Sequence, residues 1–291
     1  MTNLTGFVNI IKPTGMTSSD VVLKVKKILK TKKVGHLGTL DPAASGVLPI
    51  AVGKATKFFD YFLNKDKIYI ARVKFGIETD TLDSFGNITN KNNKNVTSED
   101  IKKVLNKFVG DIEQIPPKYS AVKINGRKAY DLAREDVEFE IKPRKVKIYN
   151  LELLNDFGNN EFLFKVHCSA GTYIRTLFSD LAKEIETIST TPVIIRTKSG
   201  RFTTENSVTL EELEKTQKLI SAEALFEDIE KLDVNAEIAK KLINGVKVFA
   251  SELPVKIDDN KECLIFHENK SIGFYKVEND VLLQVVYLFE G

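Results

Sequence analysis

The sequence predicts an α+β protein with a small β-rich unit after residue 232. Three features carry that expectation. The run Lys67-Ile68-Tyr69-Ile70-Ala71-Arg72-Val73-Lys74-Phe75 has a period of two, placing Tyr69, Ala71, Val73 and Phe75 on one face of a strand. Residues 144–154 and 161–168 read as two strands separated by the turn Asp156-Phe157-Gly158-Asn159-Asn160. Beyond 232, a helix at 236–243 is followed by short strands near 246–249, 262–266, 271–276 and 281–289.

Taken in order, residues 6–11 form a short strand ending at Lys12-Pro13. Thr17, with Asp20 three residues on, is a capping box that opens a helix. Val21, Val22, Val25, Ile28 and Leu29 recur on one side of it, leaving Lys24, Lys26, Lys27 and Lys30 outward. A glycine-bearing loop follows, then a buried strand at 47–52 whose Pro49 implies an edge or an irregularity. A short helix at 55–62 puts Phe58, Phe59 and Phe62 in the core. Residues 76–95 are polar and read as a surface connection. Thr97 and Asp100 cap an amphipathic helix over 97–109. Pro116-Pro117 stops helical structure and launches an extended segment. From 118 to 134, five basic residues interleave with Tyr119 and Tyr130, a pattern suited to RNA phosphates and exposed bases and equally to a solvated loop. A helix over 172–185 carries Arg175 at its start, where the helix dipole favours anions. A carboxylate or phosphate partner explains an arginine there better than local helix stability does. A strand at 193–197 and helices at 209–214 and 222–225 finish the first unit.

The 291 residues, 42% hydrophobic and 29% charged, are those of a globular protein, and no apolar stretch reaches the length of a membrane span. The first twelve residues lack the basic-then-apolar order of a signal peptide. Cys168 and Cys263 are too few for a disulfide framework and fit a reducing cytoplasm. Cys263 and His267 stand four apart with no second pair, so no metal site is expected. Charge is uneven: residues 1–60 hold nine lysines against three aspartates, whereas residues 205–291 hold ten lysines against eighteen acids. A polyanion would meet the first part of the chain, not all of it.

The loop at 34–46 combines Gly35, Gly38 and Gly46 with His36 and an Asp41-Pro42 pair. Proline disfavours the helical conformation at Asp41, which holds its carboxylate on an extended or turning backbone. No Gly-Lys-Ser/Thr follows the glycines, so phosphate cradling is excluded, and the second histidine of a nucleotidyltransferase His-x-Gly-His is absent.

The run Gly-His-Leu-Gly-Thr-Leu-Asp-Pro-Ala-Ala-Ser-Gly-Val-Leu-Pro-Ile at 35–50 resembles the central motif of bacterial tRNA pseudouridine-55 synthases of the TruB type. Three other blocks resemble that family's remaining signatures in the same order. They are Lys12-Pro13-Thr14-Gly15-Met16-Thr17-Ser18, then Pro116 to Lys123 with Gly126-Arg127-Lys128-Ala129-Tyr130, and Cys168 to Leu177. The resemblance implies a mixed, mostly antiparallel sheet flanked by helices and loops. It places a catalytic domain at 1–232, with an RNA-binding insertion near 116–140, and a small PUA-like domain at 233–291. The implied activity is isomerisation of uridine-55 in the tRNA T-loop, with the base flipped out. Asp41 resembles the catalytic aspartate at the ribose, and Arg175 the arginine whose bidentate fork pairs with it. Tyr69 resembles the base-stacking tyrosine, Tyr173 closes another side of the pocket, and Ile194 walls it. His36 packs against loop bases, and Lys12 contacts substrate. No cofactor and no metal are implied; the partner is the T-arm stem-loop of tRNA, met by a cytoplasmic monomer. Ile194-Ile195-Arg196 departs from the family's frequent Leu-Arg-Arg by one cation. The competing reading is a tRNA-binding or tRNA-folding protein in which catalysis is secondary or absent.

Overall fold

The structure, a computed structural model, describes residues 4–135 and 137–287. Strand β1 (Gly6–Lys12) leads into helix α1 (Ser18–Ile28), and strands β2 (Val34–His36) and β3 (Ser45–Val52) bracket the Asp41 loop. A 3-10 turn runs into α2 (Phe59–Leu63). Then come β4 (Lys67–Phe75), the hairpin β5 (Ile77–Thr79) and β6 (Ile88–Lys91), α3 (Ser98–Leu105) and β7 (Gly110–Gln114). An arm holds β8 (Lys123–Ile124), β9 (Arg127–Lys128) and α4 (Ala129–Arg134). The main unit continues with β10 (Arg144–Asp156), β11 (Glu161–Cys168), α5 (Ile174–Glu184), β12 (Ser189–Ser199), β13 (Phe202–Thr203), α6 (Leu210–Thr216) and α7 (Ala222–Leu225). The tail has β14 (Glu230–Asp233), α8 (Ala236–Ile243), β15 (Glu262–His267), β16 (Lys270–Glu278) and β17 (Val281–Tyr287).

The main sheet runs β1-β3-β12-β4-β11-β10-β7, with β2 added to β3 and β13 to β12. Every pairing is antiparallel except β12 beside β3, where Ile195 lies opposite Ser45 and Arg196 opposite Gly46. The sheet is therefore mixed and mostly antiparallel. Gly46 is required at that contact: its φ is +105°, and a Cβ there would lie 2.2 Å from the Arg196 carbonyl oxygen. The alternation in β4 buries Tyr69, Ala71, Val73 and Phe75 against the apolar faces of α1 (Val21, Val22, Val25) and α5 (Leu177, Phe178, Leu181).

Pro49 does not mark an edge, because β3 is paired on both sides. Its carbonyl accepts from Leu37 N–H at 2.8 Å, so its own nitrogen faces the same flank. There β3 passes from β12 to β2, and a missing donor costs no ladder bond. Phe59 also departs from expectation. Phe58 and Phe62, four apart, share the buried face, while Phe59 turns outward and is 40% exposed. The expected strand at 246–249 reduces to a single bridge between Phe249 and Val281. Residues 288–289 of the expected last strand lie outside the described residues.

In the tail, β14 runs parallel to β15 in a second sheet, β14-β15-β16-β17, so the expected boundary at 232/233 falls inside a strand. An aromatic seam joins the two units. Phe7 of β1 packs edge-on against Phe58 and Phe62, and Phe58 and Phe226 meet Phe274 of β16 at 5.7 and 4.7 Å. Beside the rings, Tyr61 Oη donates to Glu262 at 2.9 Å. Both cysteines are buried and free. Among the described residues, no helix is long and apolar enough to cross a membrane, and no group of three or more acidic, histidine or cysteine side chains could hold a metal.

Candidate active site

The Asp41 loop is held by four clamps, three from the stretch 12–18 and one from β12. Ser18, the first residue of α1, gives its hydroxyl to Leu40 O at 3.0 Å and accepts from Leu40 N–H at 2.9 Å. Gly15 N–H donates to Pro42 O at 2.8 Å, and Ala44 N–H closes the turn onto Asp41 O at 3.1 Å. Arg196, fully buried on β12, sends Nε to Val47 O, Nη1 to Thr39 O and Nη2 to Gly38 O at 2.8, 3.0 and 3.2 Å. The fourth clamp is Lys12, whose Nζ donates to Pro13 O, Met16 O and Pro42 O at 2.9, 2.8 and 3.5 Å.

That arrangement corrects the expectation for Lys12. An ammonium has three protons, and all three are used on backbone carbonyls. The side chain has no exposed surface, and burial pushes its pKa down to about 8. Lys12 braces the loop and leaves no donor for a substrate.

Asp41 opens onto a cavity of about 550 Å³, whose lining includes Tyr69, Tyr173, Arg175, Ile194 and Lys67. Arg175 Nη2 donates to Asp41 Oδ2 at 2.7 Å. The expected two-point fork is split, however. Nη2 also reaches Tyr119 O at 3.0 Å, and Nη1 turns to Thr81 O at 2.8 Å and stands 3.4 Å from Asp83 Oδ2. Arg175 thus sits between two carboxylates while anchoring the backbone of two loops. Its place in the first turn of α5 is secured by Gln114, which accepts from Tyr173 N–H at 3.0 Å and donates to Tyr173 O at 3.3 Å.

The remaining expected residues divide between two places. Tyr69 is buried on the inner face of β4, and burial pushes its phenol up to about 12, so at neutral pH it is a ring with a hydroxyl donor rather than a phenolate. Tyr173 is also raised by burial. Ile194 lies opposite Ala71 and walls the cavity. His36 is elsewhere: on β2 it lines a separate depression with Lys32, Lys33 and Phe59, and its buried Nδ1 has no partner among the described residues. Burial, then the Arg196 charge, lowers its pKa and favours the neutral ring.

Sequence reasoning missed Asp83, Gln114, Arg196 and Lys67. Asp83 belongs to the stretch read as a surface connection, yet it is 5% exposed and accepts from Thr81 Oγ1 at 2.7 Å and Phe85 N–H at 2.9 Å. Nothing local distinguishes it from a loop aspartate. Arg196 did carry a signal, a cation directly abutting the apolar run Val193-Ile194-Ile195. The arm beyond Tyr119 is pinned by Arg127 on Glu135 at 2.5 Å, and Tyr130 lies under both Lys128 and Arg134.

The chain is similar over most of its length to known proteins and solved structures. "tRNA pseudouridine synthase B" of Clostridium perfringens (strain 13 / Type A) is 41% identical over 271 residues, 91% of this chain and 92% of that protein. The protein of the same name from Clostridium kluyveri is 41% identical over 98% of this chain and 99% of its own length. The crystal structure of a Cbf5-Nop10-Gar1 complex matches with a TM-score of 0.73 at 26% identity, over 98% of this chain and 84% of that one. The model of the TruB family pseudouridylate synthase N-terminal domain covers residues 26–174. That span holds Asp41, Tyr69 and Tyr173 and stops one residue short of the arginine that pairs with the aspartate, and on these matches the chain belongs to the TruB family of pseudouridylate synthases.

Proposed function

We propose that the chain is a tRNA pseudouridine synthase that isomerises uridine-55 of the T-loop. The observation that carries the reading is the Asp41–Arg175 contact of 2.7 Å on the wall of a cavity that Tyr69, Tyr173 and Ile194 also line. The reaction breaks N1–C1′, forms C5–C1′, removes the proton from C5 and leaves one on N1. Nothing is oxidised or reduced, so the chemistry asks for one ionised carboxylate at the ribose and a surface on which the freed base can turn. Asp41 supplies the first, by attack on C1′ or by taking the C2′ proton, and the Arg175 guanidinium compensates its charge. The Tyr69 ring supplies the second. Reaching the bond requires flipping the nucleotide out of its stack, at a cost of a few kcal/mol.

In this reading the catalytic unit ends before β14, a small PUA-like unit begins with that strand at Glu230, and the protein works as a cytoplasmic monomer. His36, outside the main cavity, packs against neighbouring bases of the loop. The segment 116–140 is the RNA-binding arm, with Lys118, Lys123 and Lys128 exposed along it. Incubation with an unmodified T-arm stem-loop, followed by mapping of pseudouridine, tests the function directly. Product at the T-loop uridine is expected; tight binding without product would favour the tRNA-folding alternative. A Lys118→Ala/Lys123→Ala double variant is expected to flatten the slope of log affinity against log salt by about 0.7–0.9 per lysine, as phosphate contacts require. An unchanged slope would place the RNA contact elsewhere.

A further inference from the structure

Two lysines are buried around the catalytic loop, and they differ in what is left over. Lys12 spends all three donors on carbonyls and does not line the cavity. Lys67 does line it, and is 6% exposed. Its Nζ donates to Leu63 O at 2.7 Å and Lys65 O at 2.5 Å, carbonyls at and just beyond the end of α2. The third proton has no acceptor among the described residues.

The surrounding charges compensate this cation only in part. Arg196 faces it from β12 and, after burial itself, is what pushes its pKa down to about 8. Cys168 faces it from β11, but burial pushes that thiol up to about 12, so it stays neutral. Asp66, next in the chain, is already engaged by His167 at 2.7 Å and Lys198 at 3.3 Å. A buried ammonium with a spare donor and a guanidinium for a neighbour is costly unless an anion arrives. A uridine within RNA carries one on each side, as its flanking phosphodiesters. Lys67 and Tyr69 share one face of β4 and stand about 6.6 Å apart along the strand, close to the span between a base and its own phosphate.

We propose that Lys67 binds a phosphodiester oxygen beside the target uridine through its third N–H and so seats the nucleotide against Tyr69 and Asp41. The inference rests on the reading of the chain as a uridine isomerase acting on RNA. Neither Lys12 nor any arm lysine substitutes for this contact, since the former has no free donor and the latter lie on the exposed arm.

The test compares wild type, Lys67→Met and Lys67→Arg on a T-arm stem-loop, in binding and in turnover. Lys67→Met is expected to raise KM about tenfold or more, with a smaller loss in kcat, and to flatten the salt slope by about 0.7–0.9. Lys67→Arg, which keeps charge and donors, is expected to recover most of the affinity. Because the wild-type amine loses its proton as pH rises through about 8, wild-type affinity should fall by up to about tenfold between pH 7 and 9. Lys67→Met should fall less over that range, what remains coming from the loop brace Lys12, whose amine is also pushed down to about 8. An unchanged KM and salt slope in Lys67→Met, with wild type active, overturns the assignment of Lys67 alone. A wild type that makes no pseudouridine overturns the parent reading. If Lys67→Met fails to fold, wild-type affinity that does not change from pH 7 to 9 is the overturning result.

Discussion

Asp41→Asn is expected to lower pseudouridine formation by roughly 10³-fold or more while leaving T-arm affinity within a few-fold of wild type. The asparagine amide keeps the size of the carboxyl group and can still accept from Arg175 through its oxygen, so the loop and its four clamps stay in place. What disappears is the charge proposed to attack the ribose or remove its proton. Binding is expected to survive because the phosphate contacts proposed above lie elsewhere, on the arm and at Lys67. Single-turnover kinetics with labelled stem-loop and a separate filter-binding titration would resolve the two quantities. Retained turnover would remove Asp41 from the reaction.

The second large effect is expected at Arg175. One guanidinium serves four acceptors in different directions: Asp41, Asp83, Thr81 O and Tyr119 O. A lysine carries its charge at a single point and cannot reproduce that spread. Arg175→Lys is therefore expected to cost about 10²-fold in kcat, with KM moving less, because the carboxylate loses its direction more than the pocket loses its shape. Arg175→Met goes further, stranding the buried Asp83 carboxylate without its cation. A loss of roughly 3–5 kcal/mol in stability is expected, read as a lower Tm. If Arg175→Lys turned over like wild type, the divided contact would have no role in orienting Asp41.

Much of the fold was legible because its signals are local. The capping boxes at Thr17/Asp20 and Thr97/Asp100 are present, with the N–H and carboxylate exchanges expected of them. Strand β4 spans the expected 67–75, since a sheet with one buried face writes its period into the sequence. The misreadings arise where the deciding contact is distant. Residues 246–249 alternate like a strand, but a strand needs a neighbour along its length, and only Phe249 finds one. Asp83 looks solvated until α5 brings Arg175 to it across ninety residues of chain. The loop aspartate and its arginine could be named from motif resemblance. That a motif lysine at 12 is consumed by backbone while the strand lysine at 67 keeps a free donor depends on which carbonyls surround each amine, and no spacing rule encodes that.

The ring cluster made by Phe7, Phe58, Phe62, Phe226 and Phe274 has a mechanical consequence. Phe7 belongs to the strand beside β3, which leaves the Asp41 loop, and Phe274 belongs to the terminal sheet. Swinging that sheet away would drag the rings into water, at about 25 cal/mol for every Å² uncovered. The sheet over 230–287 therefore behaves as a fixed ruler, not a flap. Anything seated on it is held at a constant offset from the Asp41 carboxylate.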